Sequence, residues 1–250
     1  MLEILRMQEI MNQINYQKEL EKILNNIESE RKTALATGKI FQPATLLLHS
    51  CCAPCSSYVL EYLASYFAVT VFYYNPNISS SEEYRRRVAE QKRLIAAYNE
   101  EGRGSFQGVE NPIRILEGDY QPNDFYQAVE GFEDCPEGGE RCFQCYELRL
   151  RETARVAGER GMDYFGTTLT ISPLKNAAKL NEIGLRLASG KWEVGGEATS
   201  GRGPLWLPSD FKKKGGYQRS VELSAQYGLY RQDFCGCSFS KAEREARIFS

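Results

Sequence analysis

A short apolar run that ends in three cysteines constrains the fold of this chain more than any other feature. Leu46, Leu47 and Leu48 are consecutive, and the segment His49-Ser-Cys-Cys-Ala-Pro-Cys55 follows them. Three apolar residues in a row indicate a strand buried on both faces, and Pro54 is tolerated in the first turn of a helix. Ligands bind at the carboxyl ends of strands in open parallel sheets. The stretch therefore predicts three sulfurs at the edge of an α/β sheet where function is usually found.

Strand-like and helix-like segments alternate along the rest of the chain. The capping box Ser80-x-x-Glu83, for example, predicts the start of a helix that runs to about Asn99. Such alternation is typical of an α/β fold whose mostly parallel sheet is sandwiched by helices, as in Rossmann-like proteins. Strands are expected at 44–49, 69–74, 113–116, 162–170 and 205–207, and helices at about 55–66, 80–99, 122–131, 142–159, 173–189 and 217–226.

Composition narrows the classes of function. The chain has 250 residues and a net charge of −2, so contact with nucleic acid needs a local basic patch rather than bulk charge. No apolar run approaches the length of about 18 residues expected of a membrane span, and the N-terminus lacks the unbroken apolar core of a signal peptide. We therefore expect a cytoplasmic protein without a membrane partner, in which the eight cysteines stay reduced.

The cysteines fall into groups that indicate metal binding or redox chemistry. Cys142 and Cys145 share one face at the start of a helix, and together with Cys51 and Cys52 they make a plausible four-thiolate site. Four thiolates accept zinc or an iron–sulfur cluster, and adjacent cysteines suit a cluster better than a single zinc. Cys55 could bind a second metal or be a reactive thiol at a helix start. Cys135, in an acidic loop, is expected to be a bystander.

The pair Cys235-Gly236-Cys237 has a different spacing. Two thiols one residue apart can form a strained, exchangeable disulfide, with glycine easing the backbone. We interpret the pair as a device that passes electrons, with ligation of a second metal as the alternative.

A basic run near the C-terminus is the candidate nucleic-acid contact. The functional interpretation is that its basic side chains contact phosphate groups of the nucleic acid. The alternative is a solvated loop with no binding role, as such runs often are. Arg85–Arg87 is a weaker basic group, because it lies on a helix beside two glutamates. The residues of the main run are Lys212, Lys213, Lys214 and Arg219.

Five short motifs occur in order along the chain. They are His49-x-Cys-Cys-Ala-Pro-Cys55, Tyr74-Asn-Pro-Asn77, Cys142-x-x-Cys145 with Glu147-Leu-Arg149, Thr168-Leu-Thr-Ile-Ser-Pro173, and Tyr230-Arg-Gln-Asp-Phe-Cys-Gly-Cys237. Together they resemble the QueH-type epoxyqueuosine reductases. The resemblance covers about residues 44–238 and leaves the N-terminal 43 residues outside.

The resemblance implies a fold, an activity and a set of cofactors. This family reduces the epoxide of epoxyqueuosine in tRNA to an alkene without cobalamin, the last step of queuosine biosynthesis, on an α/β fold of the HUP class. It carries a [4Fe-4S] cluster and one additional iron. The partners implied are tRNA carrying epoxyqueuosine and an electron donor of unidentified kind. Carried over to this chain, Cys51, Cys52, Cys142 and Cys145 bind the cluster, and Cys235 and Cys237 form the redox pair. Some relatives have Asp at the position of Cys55; either residue could bind a metal, so Cys55 is a candidate further ligand whose role stays open.

Three residues are candidate proton donors for this reaction, which takes up two electrons and two protons and releases water. In order of preference they are Asp233, Tyr230 and His49; the alternative for His49 is a core residue. The corresponding domain division is a helical N-terminal extension at 1–43, an α/β iron–sulfur catalytic domain at 44–238 and a polar C-terminal tail at 239–250.

Two other classes of function compete with this interpretation. An ATP-dependent tRNA thiolation enzyme of the HUP type would need a glycine- or serine-rich phosphate loop after the first strand, where this chain has Ser50-Cys-Cys-Ala-Pro-Cys55. A non-catalytic zinc module that binds RNA would be colourless, so metal analysis and the visible spectrum distinguish it.

Overall fold

The computed structural model describes residues 14–105, 110–189, 193–194, 197–198 and 203–248. Its centre is a five-stranded, all-parallel sheet of β1 (Thr45–His49), β2 (Ala68–Tyr73), β3 (Arg114–Glu117), β4 (Tyr164–Thr167) and β7 (Leu205–Trp206). The strand order in this sheet is β3-β2-β1-β4-β7. A separate antiparallel pair consists of β5 (Glu193–Val194) and β6 (Glu197–Ala198). The α-helices are α1 (Tyr16–Ala36), α2 (Ala53–Leu63), α3 (Ser81–Glu100), α4 (Pro122–Ala128), α5 (Glu140–Glu159), α6 (Ala177–Ala188), α7 (Gly216–Gln226) and α8 (Ser238–Ile248).

The first strand is buried on both faces, as its apolar run predicts. Leu46 and Leu48 belong to one hydrophobic cluster, and Leu47 belongs to another. Because successive side chains of a strand point to opposite faces, the two clusters lie on the two sides of the sheet. The expected α/β sandwich with a parallel sheet is confirmed.

The chain order of the strands reverses next to β1. From β1 the chain proceeds outward through β2 and β3 on one side, and β4 lies on the other side. His49 at the end of β1 pairs in register with Thr167 at the end of β4. Ligands of doubly wound sheets bind at such a switch point, outside the carboxyl ends of the strands. The cysteines that follow β1 are therefore placed at this crevice.

The N-terminal extension contributes to the core. Helix α1 buries Leu20, Leu24 and Ile27 in the hydrophobic cluster that also contains Leu46 and Leu48. The expected helix is confirmed for Tyr16–Ala36, while residues 1–13 of the extension lie outside the described part of the chain.

Three segments differ from the sequence expectation. Thr168–Ile171 is a 3-10 helix, and α6 begins at Ala177 rather than near Pro173, because Asn176 accepts a hydrogen bond from the Lys179 amide and caps the helix there. The segment expected to be a polar tail contains α8. No helix in the described ranges combines the length and apolarity needed to cross a bilayer.

Candidate metal centre and active-site cleft

Three sulfurs gather where β1 meets α2. The ligand atoms of Cys51, Cys52 and Cys55 all lie within 4.8 Å of one another, and the Cys51 and Cys52 sulfurs are 3.8 Å apart. Cys52 is extended and caps α2, while Cys55 follows in the first turn of the helix. Thiolates bind zinc and iron, so these three residues can hold a metal ion.

The three thiols are electrostatically coupled. Hydrogen bonds from Cys51 and Cys55 lower the pKa of Cys52 well below its usual value. The same contact with Cys52 raises the pKa of Cys51 to about 11, and contacts with Cys51 and Cys52 raise the pKa of Cys55. One negative charge is thus stabilised on Cys52, while the remaining protons must leave before all three sulfurs can bind metal.

A second group of sulfurs lines a small cavity beside the first. Cys142 and Cys145 enter it from α5, and Cys235 and Cys237 enter it from the loop before α8. The Gly138 amide donates to the Cys142 sulfur at 3.2 Å. Cys51 and Cys142 also pack against the same hydrophobic cluster. Among the described residues, however, the group of metal-ligand atoms within 4.8 Å contains neither Cys142 nor Cys145.

Lys175 connects the second sulfur group with a larger cleft, and the sequence analysis did not identify it. Its ammonium group is buried and donates to the Cys235 sulfur at 3.1 Å, with Glu137 at 3.5 Å. Burial lowers the pKa of Lys175, but the charges of Cys235 and Tyr146 outweigh this effect and raise it overall. The lysine therefore stays charged beside Cys235, and it lines both cavities.

Arg149 is a second buried cation among the sulfurs. It is 1% exposed, its Nε donates to the Cys145 carbonyl at 3.1 Å, and its Nη2 has no hydrogen-bond partner. Within the described residues, no carboxylate forms an ion pair with it. A buried, unpaired cation is costly, so an anion must compensate it. An iron–sulfur cluster bound by thiolates is anionic, and a buried arginine that has an unpartnered Nη2 and interacts electrostatically with Cys145, Cys235 and Cys51 fits such a group.

The loop that carries Cys235 and Cys237 is held by backbone contacts. Arg87 is buried, pairs with Glu83 at 2.6 Å and donates to the Cys235 carbonyl at 3.0 Å. The Ser79 amide donates to the Gly236 carbonyl at 3.0 Å. The Arg85–Arg87 run, considered as a weak nucleic-acid contact, therefore contains a residue that anchors this loop.

The large cleft is where a substrate can approach these groups. It has a volume of about 520 Å³, within the range of small-molecule sites, and its wall includes Cys51, Cys55, Lys175 and Cys235. Cys51 and Cys55 of the first sulfur group and Cys235 of the second therefore line one shared space. Asp233, the preferred candidate acid, also lines the cleft and forms an ion pair with Arg244.

The other two candidate acids are positioned differently. His49 is fully buried; its Nε2 donates to the Tyr74 carbonyl at 3.1 Å, and its Nδ1 lies 2.9 Å from the Thr167 hydroxyl. Burial lowers the pKa of His49 to about 3, so the ring is neutral and joins β1 to β4. The Tyr230 hydroxyl donates to Glu83 at 3.1 Å, and Tyr230 is not among the residues that line the cleft. The geometry favours the core interpretation of His49.

Each residue of the basic run lies close to a carboxylate. Lys212 and Lys213 are 2.8 and 3.9 Å from Asp210. The remaining ion pairs join Lys214 to Glu21 and Arg219 to Glu61 and Glu222.

Comparison with known proteins places these features in a family. A family model described as "Epoxyqueuosine reductase QueH" matches residues 46–243. A protein of that name from Streptococcus pyogenes is 41% identical over 196 residues, covering 78% of this chain and 70% of the relative. One from Staphylococcus epidermidis is 38% identical over 91% of this chain and 84% of the relative, and one from Thermotoga maritima is 32% identical over 81% and 93%.

The match runs from β1 into α8 and includes both groups of cysteines, and the five sequence motifs fall within it. With a matched family model over most of its length and relatives above 30% identity, this chain belongs to the QueH family of epoxyqueuosine reductases.

Proposed function

We propose that this chain reduces epoxyqueuosine in tRNA to queuosine, the final step of queuosine biosynthesis, in the cytoplasm. The observation that carries the proposal is the convergence of cysteines from three distant parts of the sequence on two cavities that share Lys175 and Cys235 in their walls. Cys51 and Cys55, which follow β1, line the large cleft; Cys142 and Cys145, near the start of α5, line the small cavity; and Cys235, which precedes α8, lines both. Family membership supplies the reaction and the substrate class.

Within this proposal, a [4Fe-4S] cluster is bound by Cys51, Cys52, Cys142 and Cys145, and Cys55 binds one additional iron. A cluster transfers single electrons at a potential that its surroundings set. Three features of the site suit such a cluster. They are the all-sulfur donor set, the buried cations Arg149 and Lys175, and the backbone amide that donates to the Cys142 sulfur.

The electron balance of the reaction matches the chemistry of the Cys235–Cys237 pair. Oxidation of two thiols to a disulfide forms one S–S bond, breaks two S–H bonds, and releases two electrons and two protons. Conversion of an epoxide to an alkene breaks two C–O bonds, consumes the same two electrons and two protons, and yields water. Both cysteines are free thiols here, as the start of this half-cycle requires. An external electron donor then reduces the disulfide.

The wall of the cleft offers two groups that can donate the protons. Asp233 lies at the exposed side, where its carboxylate pairs with Arg244 and must take up a proton from solvent before it can donate one. The Lys175 ammonium is buried beside Cys235 and already carries the proton that it would donate. An alkoxide that leaves the epoxide carbon is a much stronger base than an amine, so a lysine ammonium can protonate it. We add Lys175 to Asp233 as a proton donor.

The basic run remains a proposed contact to tRNA phosphates. Because Lys212, Lys213 and Lys214 each have a carboxylate nearby, binding exchanges these ion pairs for phosphate contacts. The binding free energy that each lysine contributes is then smaller than the contribution of a cation without a carboxylate partner.

Metal analysis together with turnover tests the proposal. Anaerobically purified protein should contain about four irons and four sulfides per chain for the cluster, plus the additional iron, and should convert epoxyqueuosine in tRNA to queuosine, as followed by mass spectrometry of nucleosides. Cys142→Ser should lose the brown chromophore and turnover. Cys235→Ser should keep the cluster and lose turnover with a dithiol reductant.

Cys135→Ser is the matched control, because Cys135 lies in the loop after α4 and lines neither cavity described above. It should retain both iron and turnover. Protein that is colourless, loaded with zinc and still active would disprove the iron–sulfur proposal. Loss of the cluster in Cys235→Ser would instead make Cys235 a ligand.

A further inference from the structure

The residues that line the large cleft differ in exposure, and the exposed ones share a chemistry. Leu174 is 72% exposed and Tyr217 is 40% exposed, and both line the cleft. Three arginines also line it, and their side chains reach solvent. We call Leu174, Tyr217, Arg231, Arg244 and Arg247 the cleft-mouth surface.

The charge of this surface is less compensated than that of the lysine run. Arg231 is exposed, and its Nη1 donates to the Ser224 hydroxyl at 3.0 Å; no carboxylate among the described residues forms an ion pair with it. Arg247, which is 76% exposed, lies 4.0 Å from Glu243, and Arg244 pairs with Asp233, so the uncompensated charge of this surface is that of Arg231. A cation without a carboxylate partner can contact a phosphate group without first breaking an ion pair.

The aromatic ring of Tyr217 adds a second means of recognition. Tyr217 stands at the first turn of α7, and the cleft that it lines is also lined by the exposed Leu174 and the three arginines. Single-stranded RNA is bound by aromatic rings on which bases stack, combined with basic side chains that follow the backbone. Exposed tyrosine, leucine and arginine around one opening match that combination.

The position of the reactive groups determines what must lie at this opening. Enzymes that act on a base take it out of the stack and into a pocket. A nucleoside that enters the cleft towards Cys235 stays joined to its neighbours through phosphodiester bonds, so those neighbours must cross the mouth of the cleft.

We propose that the cleft-mouth surface binds the single-stranded segment of the tRNA on either side of the modified nucleoside. Tyr217 stacks on a neighbouring base, and Arg231, Arg244 and Arg247 contact the flanking phosphates. This inference rests on the proposed function for the identity of the RNA. It assigns the principal RNA contact to the cleft mouth rather than to the lysine run.

Binding measurements with the metal-loaded protein test the assignment. The probe is tRNA carrying epoxyqueuosine, titrated at several salt concentrations. Tyr217→Ala should bind about fivefold to a hundredfold more weakly, the effect of losing one stacked base. Tyr217→Phe should bind like the parent protein, because the ring is retained. Arg231→Gln should weaken binding and reduce the slope of log K against log salt by about 1.

Lys213→Gln is the matched control, since it removes the same charge from a lysine that already lies near Asp210. It should change affinity and slope less than Arg231→Gln does. Parent-like affinity and slope in both Tyr217→Ala and Arg231→Gln, with parent-like iron content and thermal midpoint, would overturn the inference. A parent protein that binds the tRNA without reducing it would refute the proposed function alone, since the binding of the variants still decides this inference.

Discussion

Two buried cations balance the sulfur atoms of this chain. Lys175 donates directly to the Cys235 sulfur, while Arg149 lies among Cys51, Cys145 and Cys235 and leaves one N–H group without a partner. Burial lowers the pKa of Arg149, but the sulfur charges outweigh this effect and raise it overall. Since an unpaired buried charge is costly, Arg149 is best explained as the counter-charge of an anionic group held by the cysteines.

Replacement of Arg149 should therefore change the metal site. Arg149→Met removes the charge but keeps much of the volume. We expect about 10- to 100-fold weaker metal binding or activity, the usual effect of losing a residue that supports metal ligands. We also expect a more negative reduction potential, because a nearby positive charge stabilises the reduced, more anionic cluster. Iron per chain and an anaerobic redox titration followed by electron paramagnetic resonance measure these effects.

Two further variants separate charge from packing at this site. Arg149→Lys restores the charge and should recover part of the potential. Arg151→Met alters an exposed arginine two residues along the same helix, which pairs with Glu147, and should leave both measurements unchanged. If Arg149→Met has the parent potential and iron content, then Arg149 only supports the Cys145 carbonyl.

Single residues also show how far the sequence predicts the site. The clustering of Cys51, Cys52 and Cys55 could be predicted, because they are close in sequence and follow a buried strand. The burial of Lys175 could not, because its partner Cys235 is 60 residues away and nothing in the local sequence distinguishes it from a solvated lysine.

At the scale of elements, local signals predict the regular segments and miss those that depend on distant partners. Ser80 caps α3 through the Glu83 amide, as the capping box predicts. Helix α8, by contrast, comes from a polar sequence that was expected to be a tail. The Ser240 amide donates to the Cys237 sulfur in its first turn, and Arg141 of α5 pairs with Glu243 at 2.6 Å. The local sequence does not predict these interactions, because they form only when the fold brings α5 and α8 together.

Gly236 lies in the loop that carries Cys235 and Cys237, the proposed redox pair, and its conformation is one that favours glycine. Its φ is +124°, and an added Cβ would lie 3.0 Å from Ile78 Cγ1 and 3.3 Å from Arg87 Nη1. Gly236→Ala should therefore cost about 1–3 kcal/mol of stability and move Cys235 and Cys237. We expect a lower thermal midpoint and loss of turnover with retained cluster iron.

Gly131→Ala is the control for backbone strain alone. Gly131 has a φ of +82°, and an added Cβ would meet nothing within 4 Å. This variant should lose stability but keep turnover in the remaining folded protein. Full turnover in Gly236→Ala would show that the cysteine pair tolerates displacement of its loop.

At the scale of the whole molecule, the sheet brings distant sequence segments to one crevice. The order β3-β2-β1-β4-β7 places the ends of β1 and β4 side by side, with His49 joining them. The strand and helix alternation predicts a parallel sheet, but several orders of strands satisfy the same alternation. The neighbours of β1, and therefore which loops meet the cysteines, follow from long-range packing that the local pattern does not specify.

The division of the chain into an extension and a catalytic domain is testable at the same scale. Leu24 of α1 is 3% exposed and packs in the cluster that contains Leu46 and Leu48 of β1. If α1 and the sheet unfold as one unit, Leu24→Ala should destabilise the whole molecule by about 2–5 kcal/mol. For a chain of this size that lowers the thermal midpoint by at least about 4 °C.

Leu35 is the matched control, because it lies on the same helix and is 50% exposed. Leu35→Ala should change the stability by less than about 0.5 kcal/mol. Circular dichroism reports the total helix content, while tryptophan fluorescence follows Trp206 of β7 in a background in which Trp192, the other tryptophan of the chain, is replaced by phenylalanine. If both probes show the same transition at a lowered midpoint in Leu24→Ala, then α1 is part of the catalytic core. In that case the loss of apolar contacts in α1 destabilises the sheet as well as the helix. An early loss of helix signal, with the tryptophan transition at the parent temperature, would instead define residues 1–43 as a separate extension.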